Sequence, residues 1–362
     1  MISVKSVDVI GLQVPFQDGS AGVGLMPGKW TKLDFALVRV ETHDGVIGWG
    51  DGFGYGCRRA TIAMLEDMVA PLVVGTEIDD IPEFNLKLQQ RLHLHGRYGI
   101  TMFAISAIDI ALWDIAAKIA GLPLAELLGG RQRSALPAYA SLVRYGEPDL
   151  VAAYASKAVS QGYGTIKLHE IERDPIIAGR DAVGPDIKLA TDVNCNWSQE
   201  TAELLMPLMK QLDLYWVEEP VFPSDQAESL GALQEKYGVS IASGENACTS
   251  VEFARLAPRI AYVQPSVTKV GGISEFLNVC DLADEHAARV MPHAPYFGPG
   301  YWATLHLMAA RSICEQFEHF FINPDSYLDP SIPLPVGGSV HVPDRPGHGF
   351  EPVDDEIHRF QV

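Results

Sequence analysis

The sequence predicts an α/β chain in which an antiparallel and helical N-terminal part precedes a closed, TIM-like parallel barrel of βα units. Three observations carry this reading. Alternating and β-branched runs fill 2–14 and 34–50, and the hairpin signal Asp44-Gly45 lies between two such runs in the second stretch. From about residue 60 to 128 the apolar period becomes helical. After Gly130, short apolar strands alternate with amphipathic helices, the mark of a parallel sheet.

In chain order, SVKSVDVIGLQV and DFALVRVETHDGVIGWG read as antiparallel strands. FAISAIDIALWDIAAKIAGLPLAELLGG presents a long apolar helix face, with Gly121 as C-cap and Pro123 opening the next helix. The barrel strands are placed at 136–141, 165–170, 188–194, 214–220, 239–245, 261–266, 288–293 and 314–320. Nearly all end in a polar residue that burial does not require: His169, Asp192, Glu218, Glu245, Ser266, His293 and Glu318. These recur every 21 to 27 residues, one βα unit per step, so they gather at the C-terminal mouth of the barrel. From about Pro330 the chain is rich in Pro and Gly with one short strand, GGSVHVP, and is expected to return to the N-terminal part. The predicted division is 1–130, 131–329 and 330–362.

The 362 residues carry 27 Lys and Arg against 46 Asp and Glu, a formal charge of −19. So acidic a surface repels phosphate backbones and anionic membranes, which argues against nucleic-acid or membrane partners. No run of eighteen apolar residues lacks a charge, and the segment Met1 to Phe16 has no signal-peptide core. A cytoplasmic protein is expected. Five cysteines, odd in number and without a Cys-x-x-Cys pair, read as reduced thiols.

Asp192, Glu218 and Glu245 end three successive strands, so their carboxylates converge although they lie far apart in sequence. Three like charges at one point require a cation, and oxygen-only ligation selects a hard ion such as Mg²⁺ over zinc. Asn194, two residues beyond Asp192, is placed at the rim as a candidate substrate or water ligand. Cys195 and Cys248 flank the trio and read as ordinary buried thiols, since no histidine is spaced to activate them.

DVNCNW (192–197), VEEP (217–220), SGEN (243–246), Lys167-x-His169, VGGISE (270–275) and SAIDIALWDIAAK (106–118) together resemble the enolase superfamily, in its mandelate racemase-like group. The resemblance runs from the GVIGWGD hairpin to the VPDRPGHGFE tail. It implies a modified (β/α)7β-barrel under an N-terminal α+β capping domain, which the C-terminal tail completes. It also implies Mg²⁺-assisted abstraction of the proton α to a carboxylate, with one ion per subunit on Asp192, Glu218 and Glu245, and a homo-oligomer. Such a proton is too weakly acidic for a side-chain base unless the dianionic intermediate is stabilised by a metal and cationic donors.

Lys167 and His169 lie two apart on one strand and share a face. By the resemblance, Lys167 steadies the substrate carboxylate and His169 fills the base position usually held by a second lysine; an imidazole titrates near neutrality and suits that task. His293 matches the family's catalytic histidine, but the usual aspartate partner on the sixth strand is replaced by Ser266. Serine stabilises imidazolium less than a carboxylate does, so His293 is expected to act better as an acid than as a base. Lys269 is expected to face away, being an odd offset from Ser266. Glu318 resembles the family's electrophilic acid, a donor to the substrate carboxylate when protonated, and His319 points away from it.

Specificity is assigned to the capping part, in GSAGVGLMPGKW (19–30) and FGYGCRR (53–59). Lys29, Tyr55, Arg58 and Tyr296 are candidate readers of substrate hydroxyls or of a distal carboxylate. The leading function is dehydration of a small-molecule sugar acid, in which His169 takes the α-proton, Lys167 and Glu318 hold the enediolate and His293 protonates the departing hydroxyl. Alternatives are a racemase, epimerase or cycloisomerase on the same scaffold, and a non-catalytic sugar-acid or metal-binding relative.

Overall fold

The computed structural model describes residues 1–18 and 30–362, so Lys29 and most of the loop 19–30 lie outside the described residues. Strands β1 (Ile2–Gln17), β2 (Lys32–Thr42) and β3 (Ile47–Phe53) form an antiparallel sheet. The β2–β3 turn closes as predicted: Gly45 takes φ +81° and its amide reaches the Thr42 carbonyl at 3.0 Å. A helical run over 58–73 and helices α1 (Ile81–Arg91) and α2 (Gly99–Ala120) cover this sheet. α2 ends on the left-handed Gly121, as expected of a glycine C-cap.

α2 is long and apolar enough to cross a membrane, with a mean hydropathy of 1.7, yet 83% of that window is buried inside the molecule. Its Asp109 and Asp114 are buried on protein partners: Asp109 accepts from Asn85 and Ser274, and Asp114 from the amides of Trp49 and His348. It is the core helix of the capping part.

The eight predicted barrel strands all form: β4 (Ala135–Ser141), β5 (Thr165–Leu168), β6 (Lys188–Asp192), β7 (Leu214–Glu218), β8 (Ile241–Ser243), β9 (Tyr262–Val263), β10 (Arg289–Val290) and β11 (Phe317–Phe320). They pair in parallel in chain order, with β11 returning to β4. A bridge between Val290 and Cys314 closes the ring. Seven helices follow the first seven strands: α3 (Pro148–Ser160), α4 (Arg173–Val183), α5 (Gln199–Gln211), α6 (Ala227–Tyr237), α7 (Thr249–Leu256), α8 (Gly272–Glu285) and α9 (Pro299–Ala310). The fold is a (β/α)7β-barrel beside an antiparallel capping sheet. Below the mouth the barrel is filled by Tyr139, Ala190, Trp216, Ala242, Tyr262 and Met291.

The strand of the GGSVHVP segment, β12 (Ser339–His341), pairs antiparallel with β4 of the barrel rather than with the capping sheet. Beyond it the chain does touch the capping part: His348 lies between Trp49 and Asp114, and the Val362 amide reaches the Gly11 carbonyl.

Candidate active site at the barrel mouth

The ends of β6, β7 and the β8 loop bring one carboxylate oxygen each of Asp192, Glu218 and Glu245 within 4.8 Å of one another. All three side chains are buried. Burial raises the Glu218 carboxyl well above its usual range, with the charge of Asp192 adding to the effect. Glu245 feels burial first, but His293 and Lys269 outweigh it and hold the carboxyl well below that range. One member of the trio thus tends to hold a proton while its neighbours stay ionised, a position that a cation takes over. Among the described residues the buried Asp192 Oδ2 has no hydrogen-bond partner, which leaves an all-oxygen donor set with an unspent lone pair. The trio fits a hard divalent ion.

Two imidazoles flank the trio at its opposite ends. His169 Nε2 stands 3.3 Å from Asp192 Oδ2, and its Nδ1 bonds the Leu142 carbonyl. A carbonyl only accepts, so Nδ1 carries a proton, and Nε2 is the nitrogen that faces Asp192 and the mouth. His293 Nε2 stands 3.0 Å from Glu245 Oε2, while its buried Nδ1 has no partner among the described residues. Ser266 does not replace the missing aspartate, because its hydroxyl lies against Thr268 and Tyr296 instead of the imidazole.

Lys167 is fully buried, 2.9 Å from both Glu218 Oε1 and Glu318 Oε1 and 3.7 Å from Asp192 Oδ2. Burial disfavours its charge, but Glu218 and Glu318 outweigh that and raise it well above the usual lysine range, so it stays an ammonium. Glu318 departs from its expected role as a protonated donor. Burial pushes its carboxyl up, yet Lys167 and then His293 bring it below the usual range. It accepts from Ser141 Oγ at 2.8 Å and from the Ala294 amide at 2.7 Å, which fixes it as an ionised acceptor. His319 points outward as expected, against Tyr163 and Phe297.

Lys269 corrects a second expectation. Pro265 cannot donate to the ladder, the strand stops at Val263, and the amides of Lys269 and Val270 fold back onto the Ser266 carbonyl. Strand alternation has ended there, and Lys269 turns into the mouth, 3.0 Å from Asn246 Oδ1 and 3.9 Å from Glu245 Oε1. Pro265 was the signal available in the sequence.

Asn194 also lies past its strand. With φ +44° it follows a turn, and Arg144 donates to its Oδ1 at 3.1 Å and to the His169 carbonyl at 2.6 Å. Cys195 and Glu219 have positive φ as well, a concentration of strained backbone at the rim. Glu219, the second acid of VEEP, is buried against Cys195, and burial together with Glu245 and Asp192 pushes its carboxyl up to about 8. Arg144 and Glu219 are site neighbours that the sequence reading did not single out.

The capping part contributes Tyr55, its ring tilted 48° to that of Trp30 with centroids 4.3 Å apart, while Arg58 is bound to Asp34 at 3.1 Å. Tyr296 donates to the His293 carbonyl at 2.9 Å.

Residues 12–129 match the mandelate racemase / muconate lactonizing enzyme N-terminal domain, and residues 150–356 match the enolase C-terminal domain-like family. The chain belongs to the enolase superfamily, in its mandelate racemase-like group. This superfamily member is 32% identical over 358 residues to the L-talarate/galactarate dehydratase of Salmonella typhimurium, covering 95% of the chain and 87% of that protein. To the arabinonate dehydratase of Saccharolobus solfataricus it is 32% identical over 333 residues, covering 88% of each. Among solved structures, a Streptomyces coelicolor racemase with bound magnesium is similar with TM-score 0.87 at 25% identity, covering 99% of this chain and all of that one.

Proposed function

We propose that this chain is a Mg²⁺-dependent dehydratase of sugar acids, with one ion per subunit held by Asp192, Glu218 and Glu245. The observation that carries the reading is the pairing of unlike imidazoles at the two ends of the buried acidic trio. The two dehydratase relatives support it. The free state of all five cysteines suits the reducing cytoplasm.

The ion, when bound, supplies Lewis-acid stabilisation of the carboxylate whose α-proton leaves. His169 Nε2 takes that proton, its ring oriented by the Leu142 carbonyl. Lys167, an ammonium fixed between two carboxylates, adds positive charge where the enediolate develops. His293 gives a proton to the β-hydroxyl, which departs as water. Among the described residues no carboxylate backs its Nδ1, which favours donation over abstraction.

Lys269 favours a second reading, isomerisation. An ammonium turned into the mouth on the side of the site away from His169 offers a reprotonating group. Incubating the Mg²⁺-loaded protein with a sugar-acid library in D₂O separates the two readings. Loss of water supports dehydration; deuterium at the α-carbon without elimination supports isomerisation. No exchange with any acid defeats both.

A further inference from the structure

Beyond the last residues of β4 and β5, side chains take over the pairing. The Leu142 amide still reaches the Lys167 carbonyl at 2.9 Å. The Leu142 carbonyl then takes the His169 ring Nδ1–H, and the His169 carbonyl takes Nε of Arg144 at 2.6 Å. The same guanidinium gives Nη2 to Asn194 Oδ1 at 3.1 Å, and the Asn194 amide donates to Asp192 Oδ1 at 2.8 Å. One half-buried side chain thus ties the strand end that carries His169 to the turn that holds Asp192.

Both ends of this tie need holding. Asn194, at φ +44°, is in the left-handed region, where a residue with a side chain stays only if its neighbours fix it. His169 lies one residue past the end of β5, where the strand no longer fixes it. Arg144 itself is seated by the turn that follows: the amides of Tyr145 and Gly146 donate to the two oxygens of Glu170, the residue after His169, at 2.7 and 3.1 Å. Both acceptors of the guanidinium are neutral, and among the described residues no carboxylate pairs with it. What Arg144 supplies is therefore its planar fork, which fixes the spacing of two acceptors at once; a lysine, donating from a single nitrogen, does not.

Resting on the reading of His169 as the base, we propose that Arg144 is a positioning residue that sets the 3.3 Å spacing of His169 Nε2 from Asp192 Oδ2 and so holds the base in line with the carboxylate trio. A base displaced by about 1 Å loses about 10²-fold in rate, so the role is visible in kinetics without any contact to substrate.

The test compares the Mg²⁺-loaded wild type, Arg144→Gln and Arg144→Lys. Histidine-selective nitrogen NMR reads the His169 ring, identified by its loss in His169→Asn. Exchange and turnover in D₂O are measured with D-gluconate, D-galactonate, glucarate and galactarate. The wild type is expected to show one His169 species with a hydrogen-bonded Nδ1–H, and Arg144→Gln to lose that signature. For an acid that the wild type exchanges, kcat of Arg144→Gln is expected to fall about 10²-fold with KM and the thermal unfolding midpoint unchanged. Arg144→Lys is expected to recover part of the rate, and it carries the same comparison should the glutamine variant not fold. A lysine variant equal to wild type in rate and signature overturns the proposal. So does an unaltered His169 signal in Arg144→Gln, a loss carried by KM, which would make Arg144 a substrate contact, or a loss matched by a lower unfolding midpoint, which would make it merely structural. If the His169 signature depends on Arg144 but the wild type exchanges none of the acids, the positioning role stands and the proton-abstraction reading fails for them. If an acid is exchanged by Arg144→Gln at the wild-type rate with the signal unaltered, the reverse holds.

Discussion

At His169 the Nδ1 proton is committed to the Leu142 carbonyl, and Nε2 faces Asp192; at His293 Nε2 likewise faces a carboxylate, Glu245, but among the described residues Nδ1 has no partner. Replacing His169 by asparagine removes the proposed base while leaving the three carboxylates in place. Turnover is expected to fall by about 10² to 10⁴-fold, the usual worth of a positioned base, with calorimetric Mg²⁺ binding retained; full turnover by the variant would show that another group takes the proton. His306 makes a stability prediction. It accepts from the Ala125 amide and bonds the His348 carbonyl, and burial drives its imidazole down to about 3. The folded state keeps it neutral while the unfolded chain protonates it below about pH 6.5, so its contribution is complete above 6.5 and declines as pH falls toward 3. The stability gap between wild type and His306→Gln, read from urea midpoints, is expected to shrink by about 1.4 kcal/mol per pH unit over that window. A gap independent of pH between 6.5 and 4.5 would mean that His306 is not held neutral.

The docking of β3 on α2 rests on three glycines two residues apart. A Cβ at Gly48, Gly50 or Gly52 would lie 2.2, 1.9 and 2.7 Å from the carbonyls of Ala111, Ala107 and Phe103 respectively. Two strand residues advance about 6.6 Å and four helix residues about 6 Å, so alternate strand positions meet successive helix turns. Gly50→Ala forces backbone against backbone and is expected to cost about 1–3 kcal/mol or more in chemical denaturation, whereas Gly45→Asn in the open hairpin turn is expected to be nearly neutral; equal effects would mean that the sheet yields. Elements of this kind were readable, because GVIGWGDGF and the apolar face of α2 announce themselves locally. The strand ends are not: alternation stops at Val263, short of Lys269, because Pro265 cannot donate to the ladder, and the Lys269 side chain turns into the mouth.

Across the whole molecule, the −19 charge sits badly with an anionic substrate until the trio is counted as a cation site beside the buried Lys167 ammonium. Mg²⁺ binding to the folded trio alone is expected to raise stability by about 2.7 kcal/mol at a hundredfold excess over Kd. Thermal unfolding with and without the ion reads this directly, and a Glu218→Gln protein that kept the full increment would place the ion elsewhere. The eight strands, the hairpin and the convergence of Asp192, Glu218 and Glu245 are legible in the amino-acid order alone, because strand period and βα spacing are local properties that repeat along the chain. The folded arrangement alone makes Glu318 an acceptor for Lys167 and Ser141, leaves His293 Nδ1 unpaired among the described residues, and ties Arg58 to Asp34. Those states depend on which group from a distant strand or loop arrives within about 3 Å, the reach of a hydrogen bond, and no local pattern encodes so short a meeting between residues so far apart.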